Sequence, residues 1–105
     1  MGRRVKIAQM GQLRPDTGLA VEVADKTVAL FLHEGRVYAI DDHCPHAGGP
    51  LGGGHVTNGT VMCPWHGWRF RVTDGCWIDA PKSGLSVPCY RVEQDGDDIW
   101  IDVDW

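Results

Sequence analysis

Apolar and polar residues alternate in short runs along this chain, and turn residues interrupt the runs before any becomes long. Residues 3–8 read RRVKIA and residues 20–24 read AVEVA, each with an apolar residue at every second place. TVALFLH (27–33) and RVYAID (36–41) flank Glu34-Gly35, which predicts a tight hairpin. HVT (55–57) and TVMC (60–63) flank Asn58-Gly59, the strongest short hairpin signal, because both turn residues tolerate positive φ. RFRVT (69–73) and CWIDA (76–80) flank Asp74-Gly75, and CYRVEQ (89–94) and DIWIDV (98–103) flank Asp95-Gly96. No segment sustains an apolar period of about 3.6 residues. The pattern predicts an all-β chain of small antiparallel sheets.

One stretch breaks the pattern. AGGPLGGGH (47–55) is too rich in glycine, and carries a proline, to be a regular strand. By itself it reads as a flexible surface loop. It directly follows a cysteine and a histidine, however, and glycine lets backbone N–H groups approach a ligand closely.

The 105 residues, 43% apolar and 23% charged, fit one globular domain, 1–105, with no room for a second catalytic one. The formal net charge of −4 gives no basic footprint for nucleic acid, so a nucleic-acid partner is excluded as an expectation. No apolar run approaches the roughly 20 residues of a membrane helix. The Arg3-Arg4 pair lacks the apolar stretch of an export signal, and Lys6 stands where a myristoylation motif needs Ser or Thr. A cytoplasmic chain with no membrane partner is therefore expected. Cysteine clusters there more often mean metal or catalysis than disulfides.

Cysteine and histidine occur together twice, as Cys44-x-His46 in HCPHAGG and as Cys63-x-x-His66 in CPWHGWRF. Two thiolates and two imidazoles could hold a tetrahedral zinc, which would make the chain a structural module. The one-residue gap between Cys44 and His46 is tight for two ligands on one small ion. It is easier to meet if the two ligands go to different metal atoms. A [2Fe–2S] cluster with cysteines on one iron and histidines on the other satisfies that condition.

CPH followed by CPWHGW resembles the Rieske iron–sulfur motif, with a proline after each cysteine and Gly67 after the last histidine. The resemblance covers roughly residues 37–103. It implies a Rieske-like fold whose cluster-binding subdomain, about 42–70, consists of two loops on a β-base. It implies that Cys44 and Cys63 bind a buried iron and that His46 and His66 bind an outer one. Pro81 lies in a segment resembling the one that covers the cluster in this family. The high-potential branch joins its two loops by a disulfide, at positions that are Gly49 and Trp65 here. It also places hydroxyl donors to sulfur where Trp68 and Phe70 stand. Lost donors destabilise the reduced cluster, so the resemblance implies a potential near the low end of the Rieske range, roughly −150 mV.

The chain shows no nucleophile motif, phosphate loop or flavin signature. The resemblance therefore implies a one-electron carrier that takes electrons from a flavin-containing reductase and passes them to a terminal oxygenase. Assimilatory nitrite reductase small subunits are similar in size and motif, so a reductase large subunit is the alternative partner. Partners are expected to meet a cluster tip made of Pro45, His46, Ala47, Leu51, Trp65, His66 and Pro81, with Trp65, Leu51 and Pro81 as docking residues. Cys76 and Cys89 are expected to be small buried hydrophobes, a mutual disulfide being the lesser reading. Trp77 and Trp100 are expected in the core, His33 exposed at a strand end, and His43 and His55 at the surface or behind the ligands.

Overall fold

A computed structural model describes residues 2–24, 26–44, 48–65 and 67–103, except for the side chain of Pro81. Among these residues ten strands follow in chain order: β1 (Arg3–Gln9), β2 (Gly18–Val23), β3 (Lys26–His33), β4 (Arg36–Asp41), β5 (His55–Thr57), β6 (Thr60–Met62), β7 (Arg69–Arg71), β8 (Cys89–Tyr90), β9 (Val92–Asp95) and β10 (Asp98–Val103). They form three antiparallel sheets in the orders β1-β10-β9, β2-β3-β4-β8 and β5-β6-β7. Three short 3₁₀ turns, at Met10–Gln12, Leu51–Gly53 and Pro81–Ser83, are the only helical elements among the described residues. Among these residues, no helix is long and apolar enough to cross a membrane.

The four-stranded sheet lies in the middle. Along β3, Val28 and Leu30 enter one core with Val37 and Ala39 of β4, Ala8 of β1 and Ile99, Ile101 and Val103 of β10. The intervening Ala29 and Phe31 enter a second core with Ile40 of β4, Val61 of β6, Phe70 of β7, Val72 and Val87. Side chains of a strand point alternately to its two faces, so a strand covered on both sides needs apolar residues at every position. That is why Val28–Phe31 reads as an unbroken apolar run. The second core also contains Cys44, Cys63 and Leu51.

The Glu34-Gly35 and Asn58-Gly59 hairpins form as expected. Their turn residues have φ of 51° and 78° and of 51° and 75°, and two consecutive positive φ values match the twist of the flanking strands. Three other expectations are corrected. Residues 76–80 do not form a strand; they make isolated bridges, Phe70 to Trp77 and Cys76 to Ser86. The Trp77 N–H bonds to the Leu85 carbonyl at 3.3 Å, which closes residues 77–85 into a strap. The run 89–94 is split at Arg91, because β8 pairs with β4 in the central sheet and β9 pairs with β10 in another. The last hairpin turns on Gly96-Asp97 rather than Asp95-Gly96, since Asp95 already pairs with Asp98.

Trp100 is also corrected. It lies on the face of β10 opposite Ile99 and Ile101, half-buried, with the Arg4 guanidinium 4.5 Å above its ring. Cys89, on the edge strand β8, is exposed and Cys76 is half-buried; both are free thiols, so neither is the buried hydrophobe expected and no disulfide joins them.

Candidate metal centre

Two loops of the same construction meet over the second core. In the first, the Cys44 carbonyl accepts from the Gly48 N–H at 2.7 Å, and the Cys44 N–H donates to the Gly49 carbonyl at 3.0 Å. In the second, the Cys63 carbonyl accepts from the Gly67 N–H at 3.0 Å, and the Cys63 N–H donates to the Trp68 carbonyl at 2.7 Å. The offsets from cysteine are identical. Gly48 and Gly67, at matching places, have φ of 74° and 75°, a conformation that residues with a β-carbon seldom adopt. Each cysteine is thus held at both its N–H and its carbonyl, and each such doubly held cysteine with its glycine is termed a knuckle.

Cys44 and Cys63 form no disulfide, are each 1% exposed, and belong to one apolar cluster. Gly49 brings the loops together: a β-carbon there would stand 2.7 Å from the Cys63 sulfur and 3.1 Å from Trp65 Cγ. His46 and His66, the other two expected ligands, lie outside the described residues, as do Pro45 and Ala47 of the expected tip. Among the described residues, no three His, Cys, Asp or Glu side chains converge as a metal site. The two cysteines fit an iron–sulfur group on their own chemistry. Two cysteine sulfurs in one apolar core, with no disulfide between them, are the soft ligands such a group takes, and its irons would neutralise their charge on binding.

Around the loops, Asp42 precedes the first knuckle. Its backbone carbonyl accepts from the Leu51 N–H at 2.9 Å and its carboxylate from the Gly52 N–H at 2.5 Å. Burial pushes the Asp42 carboxyl above its ordinary value, while the Gly52 bond and His43 pull the other way. These bonds tie Leu51 and Gly52 back to the residue that follows β4 and occupy their N–H groups. Leu51 is 0% exposed. It is an anchor of the second core and is corrected as a docking residue, because the stretch turns its one large apolar side chain inward.

Trp65 does reach solvent, at 58% exposure, and Met62 beside the second knuckle is 40% exposed. The side chain of Pro81 is not described; its backbone begins the third 3₁₀ turn. The exposed His43 packs its ring over Gly48, where a β-carbon would meet Cε1 at 3.0 Å. His55 is exposed and hydrogen-bonds the Thr57 hydroxyl at 3.0 Å. His33 is half-buried against the β5–β6 turn, with Gly59 under its ring, and is corrected from an exposed strand end. Trp77 packs against the second core, as expected, and its indole stacks on that of Trp68 with centroids 3.8 Å apart and planes 2° from parallel. Trp68, Trp77, Arg69 and Asp79 were not anticipated as a group, and no local signal links them, because the strap alone brings them together.

A family model for the Rieske [2Fe-2S] domain matches residues 3–91. The match includes the N-terminal third, which the motif-based resemblance did not reach. The ferredoxin of carbazole 1,9a-dioxygenase from Nocardioides aromaticivorans IC177 is 30% identical with a TM-score of 0.82, over 93% of this chain and 95% of that one. A Mycobacterium tuberculosis protein assigned as an NADH-dependent nitrite reductase small subunit is 25% identical with a TM-score of 0.86, over 100% and 98% of the two chains. Among curated proteins, cholesterol 7-desaturase of Drosophila melanogaster is 38% identical over 78% of this chain, which spans 19% of that protein. Human apoptosis-inducing factor 3 is 38% identical over 92% of this chain, which spans 15% of it. The chain thus covers less than a fifth of the length of these two relatives. With two buried cysteines on matching knuckles and the family model spanning most of its length, this chain belongs to the Rieske [2Fe-2S] domain family, and its cofactor is a Rieske-type [2Fe–2S] cluster.

Proposed function

We propose that this Rieske protein carries single electrons from a flavin-containing reductase to a terminal oxygenase. The paired knuckles carry the reading. Cys44 and Cys63 hold the inner iron, and His46 and His66 hold the outer one. The cluster, when bound, takes up and releases one electron between its ferric and ferrous irons. The protein's own residues keep the two sulfurs away from water and present Trp65 and the two histidines to partners. The chain is one domain, 1–105, with a cluster-binding part at about 42–70 resting on a β-base, and it works in the cytoplasm. Near end-to-end likeness to an oxygenase ferredoxin supports the carrier role.

A second reading, the small subunit of a nitrite reductase, is supported by the equally complete likeness to a protein of that assignment. The presence of cysteine and histidine at all four expected ligand positions favours the carrier.

The purified chain should be red-brown with about two irons and two labile sulfides, the content of one such cluster. One zinc and no iron would remove the ligand assignment, and a zinc module would stand in its place. His46→Ala or His66→Ala should each abolish the native visible and EPR spectra. Mixing with a flavin reductase and a terminal oxygenase should give electron flow dependent on the chain. A stable stoichiometric complex with a nitrite reductase large subunit, and no flow to oxygenase, would select the second reading.

A further inference from the structure

The strap that replaces the expected strand at 76–80 is attached beside the second cysteine knuckle in consecutive steps. The Trp77 indole lies flat on Trp68, 3.8 Å between centroids, and the Trp68 carbonyl accepts the Cys63 N–H at 2.7 Å. The Ile78 N–H donates to the Arg69 carbonyl at 3.1 Å. The Arg69 guanidinium then donates to the Asp79 carboxylate. Within the strap, the Ser83 N–H donates to the Ala80 carbonyl at 3.0 Å, the Leu85 N–H donates to the Ser83 hydroxyl at 3.1 Å, and Gly84 turns at φ 76°. Trp68 and Trp77 both pack on the core that contains Cys44 and Cys63.

We propose that Trp77 and Asp79 are positioning residues for the cluster: through Trp68 and Arg69 they clip the strap 77–85 to β7 and so hold the second knuckle closed. This rests on the ligand assignment made above. Trp68 is the residue whose carbonyl accepts from the Cys63 N–H, and one face of its ring is covered by Trp77. Releasing the strap uncovers Trp68 and frees the end of the knuckle. The stack supplies the larger attachment, because stacked aromatic pairs add to the area they bury. The Arg69–Asp79 pair is solvent-exposed, so it is the smaller attachment and is weakened by salt. Water admitted to the site stabilises the reduced state, which bears one more negative charge, so a loosened strap raises the potential.

The test uses the loaded full chain and three readouts: the rate of bleaching by an iron chelator, the midpoint potential, and hydrogen exchange at the Ile78 amide. Asp79→Asn should bleach about two- to fivefold faster at low salt and match the parent at about 1 M salt, where the pair is screened. Asp79→Glu should restore the parent rate. Trp77→Ala should bleach about tenfold faster and show a raised potential, as expected for loss of a stacked aromatic. Both Ala and Asn variants should exchange the Ile78 amide faster. Parent-like bleaching, potential and exchange in Asp79→Asn at low salt would overturn the proposal, whether or not Trp77→Ala folds. A parent chain with no iron–sulfur spectrum would instead sink the ligand assignment, while the Ile78 exchange would still report on the clip.

Discussion

Gly49, at the end of the first cysteine knuckle, lies against the sulfur of Cys63, the first residue of the second. Its missing β-carbon would overlap that sulfur at 2.7 Å and the Trp65 ring at 3.1 Å. The related high-potential proteins, by resemblance, join their loops covalently at this place. Here the indole of Trp65 rests on a bare Cα at that place.

Gly49→Ala should therefore displace the Cys63 thiol and empty the site. Iron and sulfide content should fall to well under half of the parent value, while the far-ultraviolet circular dichroism stays that of a folded β-protein. Gly53→Ala is the matched control. A β-carbon at Gly53 meets nothing within 4 Å, so that variant should load normally. Equal loading of the two variants would show that the close approach of Gly49 has no bearing on the site.

Trp65→Ala separates contact with a partner from contact between loops. The ring rests on Gly49 yet keeps 58% of its surface exposed. Truncating an aromatic anchor at the centre of an interface slows or weakens association by about tenfold. Reduction by the native reductase should slow by that amount with absorption and EPR spectra nearly unchanged. A variant that loses its cluster, with normal transfer in the surviving loaded fraction, would assign Trp65 to loop packing alone.

The midpoint potential should lie near the low end of the Rieske range, roughly −150 mV, and be nearly flat with pH around neutrality. Phe70 is 0% exposed and the Trp68 ring is stacked on Trp77. Neither side chain offers the hydroxyl that would stabilise a reduced cluster. Protein-film voltammetry giving a clearly positive value at pH 7 would contradict this account of the two positions.

Asp74 gives a pH test that does not involve the site. Its carboxylate accepts from Arg71 Nε at 3.0 Å and Nη2 at 2.7 Å, and the Arg71 guanidinium holds it below the ordinary 3.8. A depressed carboxyl stabilises the fold above its unfolded value, and that contribution disappears as pH falls through the depressed value. The pair is about half exposed, so the amount is small. Asp74→Asn should lower denaturant stability slightly at pH 7, and the difference should close in strong acid. A gap that widens on acidification would have the wrong sign.

The parts of this fold that local rules control were legible in the sequence. Asn58-Gly59 and Glu34-Gly35 announce their hairpins because two successive positive φ values suit few other residue pairs. Spacing singles out Cys44 and Cys63, because a one-residue gap to His46 is tight for two ligands on one ion, and the structure places both cysteines in one buried cluster. What failed depends on partners distant in the chain. CWIDA alternates like a strand, but its tryptophan stacks on Trp68 and its aspartate meets Arg69, which makes a strap. The alternation of 89–94 runs on unbroken while the chain passes from one sheet to another at Arg91. Leu51, expected at the tip, is the one large apolar side chain between glycines and is drawn into the core.

The sharing of β3 and β4 between two cores has a consequence for how the molecule comes apart. Val28 and Leu30 serve one side of the central sheet, and Ala29 and Phe31 serve the other, on the same eight-residue strand. Neither side can melt and leave the other standing, because each would lose the strand it packs on. Denaturation is then a single cooperative event in which the thiol-bearing side and the base share one fate.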